Sequence, residues 1–457
     1  METKSINFSG KWAWVKPLII FALLLVLLIP IAFIKSLIRD REFYKESAED
    51  SIMEPVGGQP TLEGLVLAVP YEKLVERKDE NGNTVRSVKT YYIIEVPEKY
   101  ELSAQVNPYY LSRGIFNVPV FNADVDVAAE FPPFRFSQFN IPEKDIRYKD
   151  AVLILGIENK KSFTAQPALQ LNGNELKLAL SDPNDASPFG NAVYYTVNES
   201  AVKSGFSLKG KLSVQGGKSL KIVPLAQDNV FDLRSTWSSP SFTGGWLPTE
   251  RTLGKDGFSA VWNISGLSTV FPRTWKTESR NRKNADAELF VNTAKIGLEA
   301  EKVAVDFITP VNNYSQAKRC ITYALLFLAV PFLAIFLCEL WSAVKIHPIQ
   351  YFLIGIADIL FYLLILSISE HLSFKLSYFI ATTGVCAVVL FYATAIFHRF
   401  KWGLLLSAVQ AVSYFLLFGI LQSEDYALLI GSIGIFCVVA LLMFLTRKVD
   451  WYGKSKA

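Results

Sequence analysis

Long apolar runs broken by short polar stretches occupy the last third of the chain, and one more lies near its start. Pro17 to Ile34 is free of formal charge between Lys16 and Lys35. Ile321 to Val344 contains Glu339 alone, and Ile349 to Ser369 contains Asp358 alone. No formal charge falls between Lys375 and His398, between Lys401 and Glu424, or between Asp425 and Arg447. A bilayer core about 30 Å thick needs about 20 apolar residues of helix, because lipid offers backbone N–H and C=O groups no partner. The pattern therefore predicts six spanning helices, an anchor at 17–34 and a bundle of five over 320–446.

Between them, residues 35–319 have a different texture. Short apolar runs at Leu65 to Tyr71, Tyr91 to Val96, Ala151 to Ile157, Phe206 to Val214 and Leu220 to Val223, with Val118, Val120, Val125 and Val127, are punctuated by Gly and Pro. Asn81-Gly82-Asn83 reads as a turn between the first two. Helical patterning is confined to Asp40 to Ser51 and Ser279 to Ala294, and a division into subdomains is open near Ser181 to Gly190. The expected fold class is α+β: a mainly antiparallel β domain outside the cytoplasm, attached to the six-helix transmembrane part.

Charge distribution sets the orientation. Basic residues are retained in the cytoplasm, while acidic ones weigh little. Lys4, Lys11 and Lys16 precede the first span, Lys345 joins the second to the third, Arg399 and Lys401 join the fourth to the fifth, and Arg447, Lys448, Lys454 and Lys456 follow the last. All fall on one side if the chain crosses six times. Trp12, Trp14, Trp341, Trp402, Trp451 and Tyr452 add an aromatic belt on that side, and Tyr323, Tyr378 and Tyr426 mark the other. Residues 1–16 and 447–457 are thus expected in the cytoplasm and 35–319 outside it. Ile34 to Asp40 offers no small-x-small cleavage site, so the first span reads as an uncleaved anchor.

Composition narrows the chemistry. All four cysteines belong to the membrane part, and the three histidines are His347, His371 and His398. A domain at 35–319 without His or Cys cannot build a Ser-His-Asp triad, a Cys-His pair or a His-based zinc site. Carboxylate chemistry survives, for example at Glu250 and Asp256, although isolated acids are usually solvated surface. There is no Walker loop or dinucleotide fingerprint, so no cofactor is expected. No nucleic-acid partner is expected either. The expected partners are the lipid bilayer and envelope proteins or ligands.

An acid inside a span is costly and invites a functional reading. At 100° per residue, Tyr351, Asp358, Tyr362 and Ser369 lie within about 40° of one another on the third span. That stripe could line a proton or solute path. The alternative is packing, with Asp358 protonated or bonded to a Tyr, Ser407 or Gln410. Glu339 is expected to reach toward the cytoplasmic interface. Gly403, Ser407 and Ala411, and separately Ala427 and Gly431, suggest faces where helices approach closely. Trp237, Phe242, Trp246, Phe258 and Trp262 are read as β-core rings, with Gly244, Gly245 and Gly257 at tight turns.

Several segments together resemble the CreD family of inner-membrane proteins, also described as cell envelope integrity proteins. They include His347-Pro348-Ile349-Gln350-Tyr351, Phe361 to His371, Glu424 to Leu429 with Gly431-Ser432, and Thr446 to Tyr452. Gly64 to Tyr71, Arg113 to Phe116, Pro240 to Gly244, Trp246 to Pro248, Gly257 to Trp262 and Pro310 to Tyr314 continue the likeness through the middle of the chain. The resemblance implies a Gram-negative inner-membrane protein with a large periplasmic domain, linked to envelope integrity and to a two-component stress or nutrient response. It implies no catalytic residue. Asp358 stands where an apolar or small residue is expected of relatives, and Phe116 and Asn312 where Tyr and Asp are. The expectation is a non-enzymatic envelope protein, with a transporter or channel using the Asp358 stripe as the alternative.

Overall fold

The computed structural model describes residues 15–78, 84–179, 187–269, 271–277, 301–307, 313–342, 344–422 and 427–447. They fall into two compact units, one within 47–310 and the other formed by residues up to 46 together with those from 311 onward.

The first unit is built on two sheets, each of eight strands among the described residues. Its first half supplies β1 (Thr61–Lys78), β2 (Thr84–Glu95), β3 (Lys99–Arg113), β4 (Phe116–Phe131), β5 (Val152–Ile157), β6 (Ala168–Leu171), β7 (Asn174–Glu175) and β8 (Ala192–Thr196). The remainder are β9 (Phe206–Gly217), β10 (Ser219–Ile222), β11 (Asp228–Ser235), β12 (Pro240–Gly244), β13 (Glu250–Gly254), β14 (Gly257–Ser265), β15 (Thr274–Thr277) and β16 (Val303–Phe307). One sheet runs β12-β16-β10-β1-β2-β15, with β5 bridging β1 and β8; the other runs β13-β14-β11-β3-β4-β9-β6-β7. Pairing is mainly antiparallel, as expected. Two pairs, β1 with β10 and β3 with β11, are parallel.

Period-two alternation explains the second sheet. Along β4, Ala123, Val125, Val127 and Ala129 are buried while Asn122, Asp124, Asp126 and Glu130 are exposed. The run Leu65 to Val69 does not alternate because both of its faces are covered. Leu65, Leu67 and Val69 join the main core, and Val66 and Ala68 join a smaller cluster with Ile94, Ile154, Phe189 and Val223. The main core draws on both sheets, with Leu67, Ile93 and Leu155 from one and Leu102, Val125, Leu212, Phe231 and Trp262 from the other. The two sheets therefore pack face to face as a sandwich.

Strands on both sides of 181–190 enter both sheets, so the chain does not divide into separate sheets there. The turn at Asn81 to Asn83 lies outside the described residues, but Lys78 pairs with Thr84 across it. The helix expected at Ser279 to Ala294 also lies outside them. A short helix, α2 (Glu199–Ser204), opens with the Asn198 side chain accepting from the Ala201 amide.

The other unit is helical. It contains α1 (Val15–Met53, of which residues up to 46 belong here), α3 (Asn313–Thr322), α4 (Ala324–Ser342), α5 (Pro348–Ser369), α6 (Phe374–Phe397), α7 (Phe400–Gln422) and α8 (Ala427–Thr446). Among the described residues, α1, α4, α5, α6 and α7 are long and apolar enough to cross a membrane. The segment expected as the sixth span forms the 20-residue helix α8. The helix that holds the anchor runs on past Ile34 without interruption through Asp40 to Ser51, the stretch expected to be helical, because no Gly or Pro lies between Lys35 and Met53 to stop it. The span expected from Ile321 is divided at Tyr323, whose amide bonds back to Cys320 O in a tight three-residue turn.

The His347-Pro348-Ile349-Gln350 segment is a helix start. His347 caps α5 by accepting from the Ile349 amide, Gln350 accepts from the His347 amide at 2.9 Å, and Pro348 takes the position where no N–H is needed. Outward-facing Phe379, Phe391 and Phe415 are exposed on the protein and meet lipid acyl chains instead of water.

Candidate functional site

Tyr351, Asp358, Tyr362 and Ser369 are all buried along α5. Tyr351, Asp358 and Ser369 hydrogen-bond to separate partners. The Tyr351 hydroxyl donates to Glu339 Oε2 on α4 at 2.8 Å. Asp358 Oδ1 accepts from Gln410 Nε2 at 2.8 Å and from the Tyr414 hydroxyl at 3.1 Å, both on α7. Tyr362 meets the edge of Phe361, and the Ser369 hydroxyl donates to Leu366 O of its own helix. Ser407 turns away from Asp358 and donates to Cys386 O at 3.0 Å.

Aromatic rings wall in the acid. Phe361 stacks on Tyr414 with ring centroids 3.9 Å apart, and the Tyr378 hydroxyl of α6 donates to Tyr414 O at 2.7 Å. The Asp358 carboxyl thus sits where three helices meet, with Oδ2 and the neighbouring Gln410 Oε1 both buried and without a hydrogen-bond partner among the described residues.

Glu339 is a second node. It accepts from Lys16, from the Ile346 amide at 3.1 Å and from Tyr351. At the far end of the same helices, Arg41 lies 3.5 Å from Glu370, Tyr314 donates to Glu370 at 3.2 Å, and Lys318 pairs with Glu42 at 3.2 Å. Midway, Gly355 leaves room for Leu27 and Phe332, into which a Cβ would run at 2.4 and 2.9 Å. Residues 15–46 of α1 therefore touch the rest of the helical unit at Lys16, Leu27, Arg41 and Glu42, while much of the helix surface stays exposed.

In the β unit, Trp262 is fully buried, Phe258 nearly so, and Trp237, Phe242 and Trp246 pack against the same core. Phe242 meets Phe258 and Trp262 edge to face, as expected for core rings. Glu250 opens β13 and Asp256 lies in the turn beyond its other end, so the two exposed acids do not converge. Among the described residues no three His, Cys, Asp or Glu side chains gather as metal ligands.

Two features escaped the sequence reading. On the outer face of the second sheet, an open hollow of about 670 Å³ has a floor of Ala128, Ala168 and Gly210. Its walls are charged, with Glu101, Asp126 and Asp232 facing Lys209 and Lys211. The signal was the acid-rich outward alternation of β4, seen only as a strand marker through its valines. The other is Glu95 on β2, 4% exposed, whose Oε2 has no hydrogen-bond partner among the described residues. Burial pushes its carboxyl up to about 8, against a smaller opposing pull from the Arg135 cation.

These observations define a multi-pass membrane protein carrying a large β sandwich. A model of the inner membrane protein CreD family matches residues 13–452, and the chain belongs to that family. It is similar to the inner membrane protein CreD of Escherichia coli (strain K12), with 28% identity over 437 residues, 95% of this chain and 93% of that one. An M1 zinc metallopeptidase from Deinococcus radiodurans matches at 12% identity and TM-score 0.19, covering 36% of this chain and 38% of its own. A putative nutrient binding protein from Legionella pneumophila matches at 6% identity and TM-score 0.19, covering 38% of this chain and 65% of its own. Scores this low carry nothing about fold or activity.

Proposed function

We propose that the chain is a non-enzymatic envelope protein whose β sandwich lies in the periplasm, contacts envelope partners there and supports the integrity of the cell boundary under stress. Both termini lie in the cytoplasm in this reading. Membership of the CreD family supports the inner-membrane setting. The observation that carries the contact role is the charged hollow on the second sheet. Its ladder sets Asp232, Ser103, Asp126 and Lys211 side by side on adjacent strands, with Glu101, Ala128 and Lys209 in the next row. Hydrated charges of both signs around a small-residue floor suit a polar partner, and they include no nucleophile paired with a base. The transport alternative needs a continuous polar line, whereas Tyr351, Asp358 and Ser369 hydrogen-bond to separate partners.

A photoreactive residue at Ala128 tests the contact role in living cells. Envelope adducts are expected, and they are lost when Lys209 and Lys211 are both changed to Glu. That double variant is expected to sensitise cells to envelope stress as deletion of the protein does, at normal protein level. Unchanged sensitivity and unchanged adducts overturn the reading. Orientation is tested separately by a reporter active only outside the cytoplasm, fused after Lys456; it is expected to stay silent.

A further inference from the structure

The geometry points to a single proton held inside the helical unit by Asp358 and Gln410, closing a carboxylic acid–carboxamide ring that ties α5 to α7. The inference goes beyond the proposed function and does not depend on which way the termini face.

Hydrogen-bond accounting carries it. Carboxyl and carboxamide groups are both two-pronged, and one pair of prongs is joined, Gln410 Nε2 to Asp358 Oδ1 at 2.8 Å. The other prongs, Asp358 Oδ2 and Gln410 Oε1, are buried and have no hydrogen-bond partner among the described residues. In a carboxylate both are acceptors and cannot satisfy one another. Exchanging the amide ends does not help, since it moves the amide oxygen against Oδ1 and leaves one mismatched pair. A proton on Oδ2 makes that oxygen a donor to Oε1, and both orphans are satisfied at once. The Tyr414 hydroxyl keeps its bond to Oδ1, which a neutral acid still accepts.

Among the described residues no cation acts on Asp358; Lys318 of α3 pairs with Glu42 instead. Asp358 is the only formal charge on α5. Residues 17–34 of α1 carry none, the one charge on α4 is Glu339, already bonded to Lys16, and Lys375 and Lys401 stand at the starts of α6 and α7. The titratable groups around the acid are Tyr362 on its own helix, Tyr414 on α7 and Cys386 on α6, with Cys320 of α3 beyond Tyr362; none is a cation. A neutral ring removes the cost of a buried unpaired charge.

The test uses the full chain in lipid nanodiscs with carboxyl-labelled aspartate and infrared spectroscopy at neutral pH. A protonated-acid carbonyl band is expected in the wild type and absent in Asp358→Asn. The same variant preserves the ring, because its amide can donate to Gln410 Oε1, so its unfolding temperature is expected to match the wild type. Asp358→Leu is expected to melt lower. A label seen only as carboxylate, or Asp358→Asn melting as low as Asp358→Leu, overturns the proposal. The infrared reading decides it even where Asp358→Leu fails to fold.

Discussion

Lys16 donates to Glu339 across 323 positions of sequence, joining the first residues of α1 to the end of α4. Its ammonium also donates to Ile346 O at 2.8 Å, and Tyr351 and the Ile346 amide complete the carboxylate's shell. Removing the charge at Glu339 weakens bonds from three donors, whereas removing Lys16 leaves two of them in place. Glu339→Gln is therefore expected to lower the stability of the helical unit by about 1–3 kcal/mol, and Lys16→Gln by less. Thermal unfolding in detergent micelles reads the order. Equal effects, or none, would show that the node does not hold α1.

Glu95 makes the β unit sensitive to alkali. Its carboxyl binds a proton up to about 8 when folded, against 4.5 for an unburied glutamate. The folded state therefore holds more protons than the unfolded state between those values, and stability falls as pH rises through that window. The full shift corresponds to at most about 5 kcal/mol. Glu95→Gln abolishes the ionisation, so its stability is expected to vary less between about pH 5 and about pH 9 and to exceed the wild type at the upper end. Denaturant titrations followed by tryptophan fluorescence at both pH values check this, and parallel curves for the two proteins would refute it.

Two glycines of one hairpin separate backbone necessity from mere smallness. Gly257 has φ +136°, and a Cβ there would lie 2.1 Å from Ser235 O. Its cross-strand partner Gly254 has nothing nearer than 3.6 Å. Gly257→Ala is expected to destabilise the sandwich by about 2 kcal/mol or more, and Gly254→Ala by less than about 0.5 kcal/mol. Urea midpoints of the two variants provide the comparison.

The spans were legible because lipid leaves a long apolar run no other fate, and the strands because burial on one face enforces alternation. Partnerships across the chain were less so. Gln410 and a tyrosine were foreseen for Asp358, yet Ser407, an equal candidate by type, turns to Cys386, on the same side of α7 as Gly403, where that helix comes close to α6. The break at Tyr323 has no Gly or Pro to announce it. Parallel pairing of β3 with β11 joins segments more than a hundred residues apart, which no local pattern encodes.

Gly403 and Gly384 test the association of α6 with α7. A Cβ at Gly403 would fall 2.0 Å from Thr394 Oγ1 and 2.7 Å from Leu390 O, so the two backbones approach at this point. Gly384, on α6, has nothing within 4 Å among the described residues. Small residues permit such approaches in lipid, where dispersion and hydrogen bonds replace the hydrophobic effect between helices. Gly431 shows the limit of reading contact from residue type, because it too has no neighbour within 4 Å among the described residues. Gly403→Leu is expected to force α7 away from α6, break the Ser407 to Cys386 bond and cost about 1–3 kcal/mol. Gly384→Leu is expected to leave stability within about 0.5 kcal/mol of the wild type, since its side chain enters lipid. A disulfide-trapping pair at Leu390 and Ser407 reports the helix separation directly, and equal trapping in both variants would rule out the close approach.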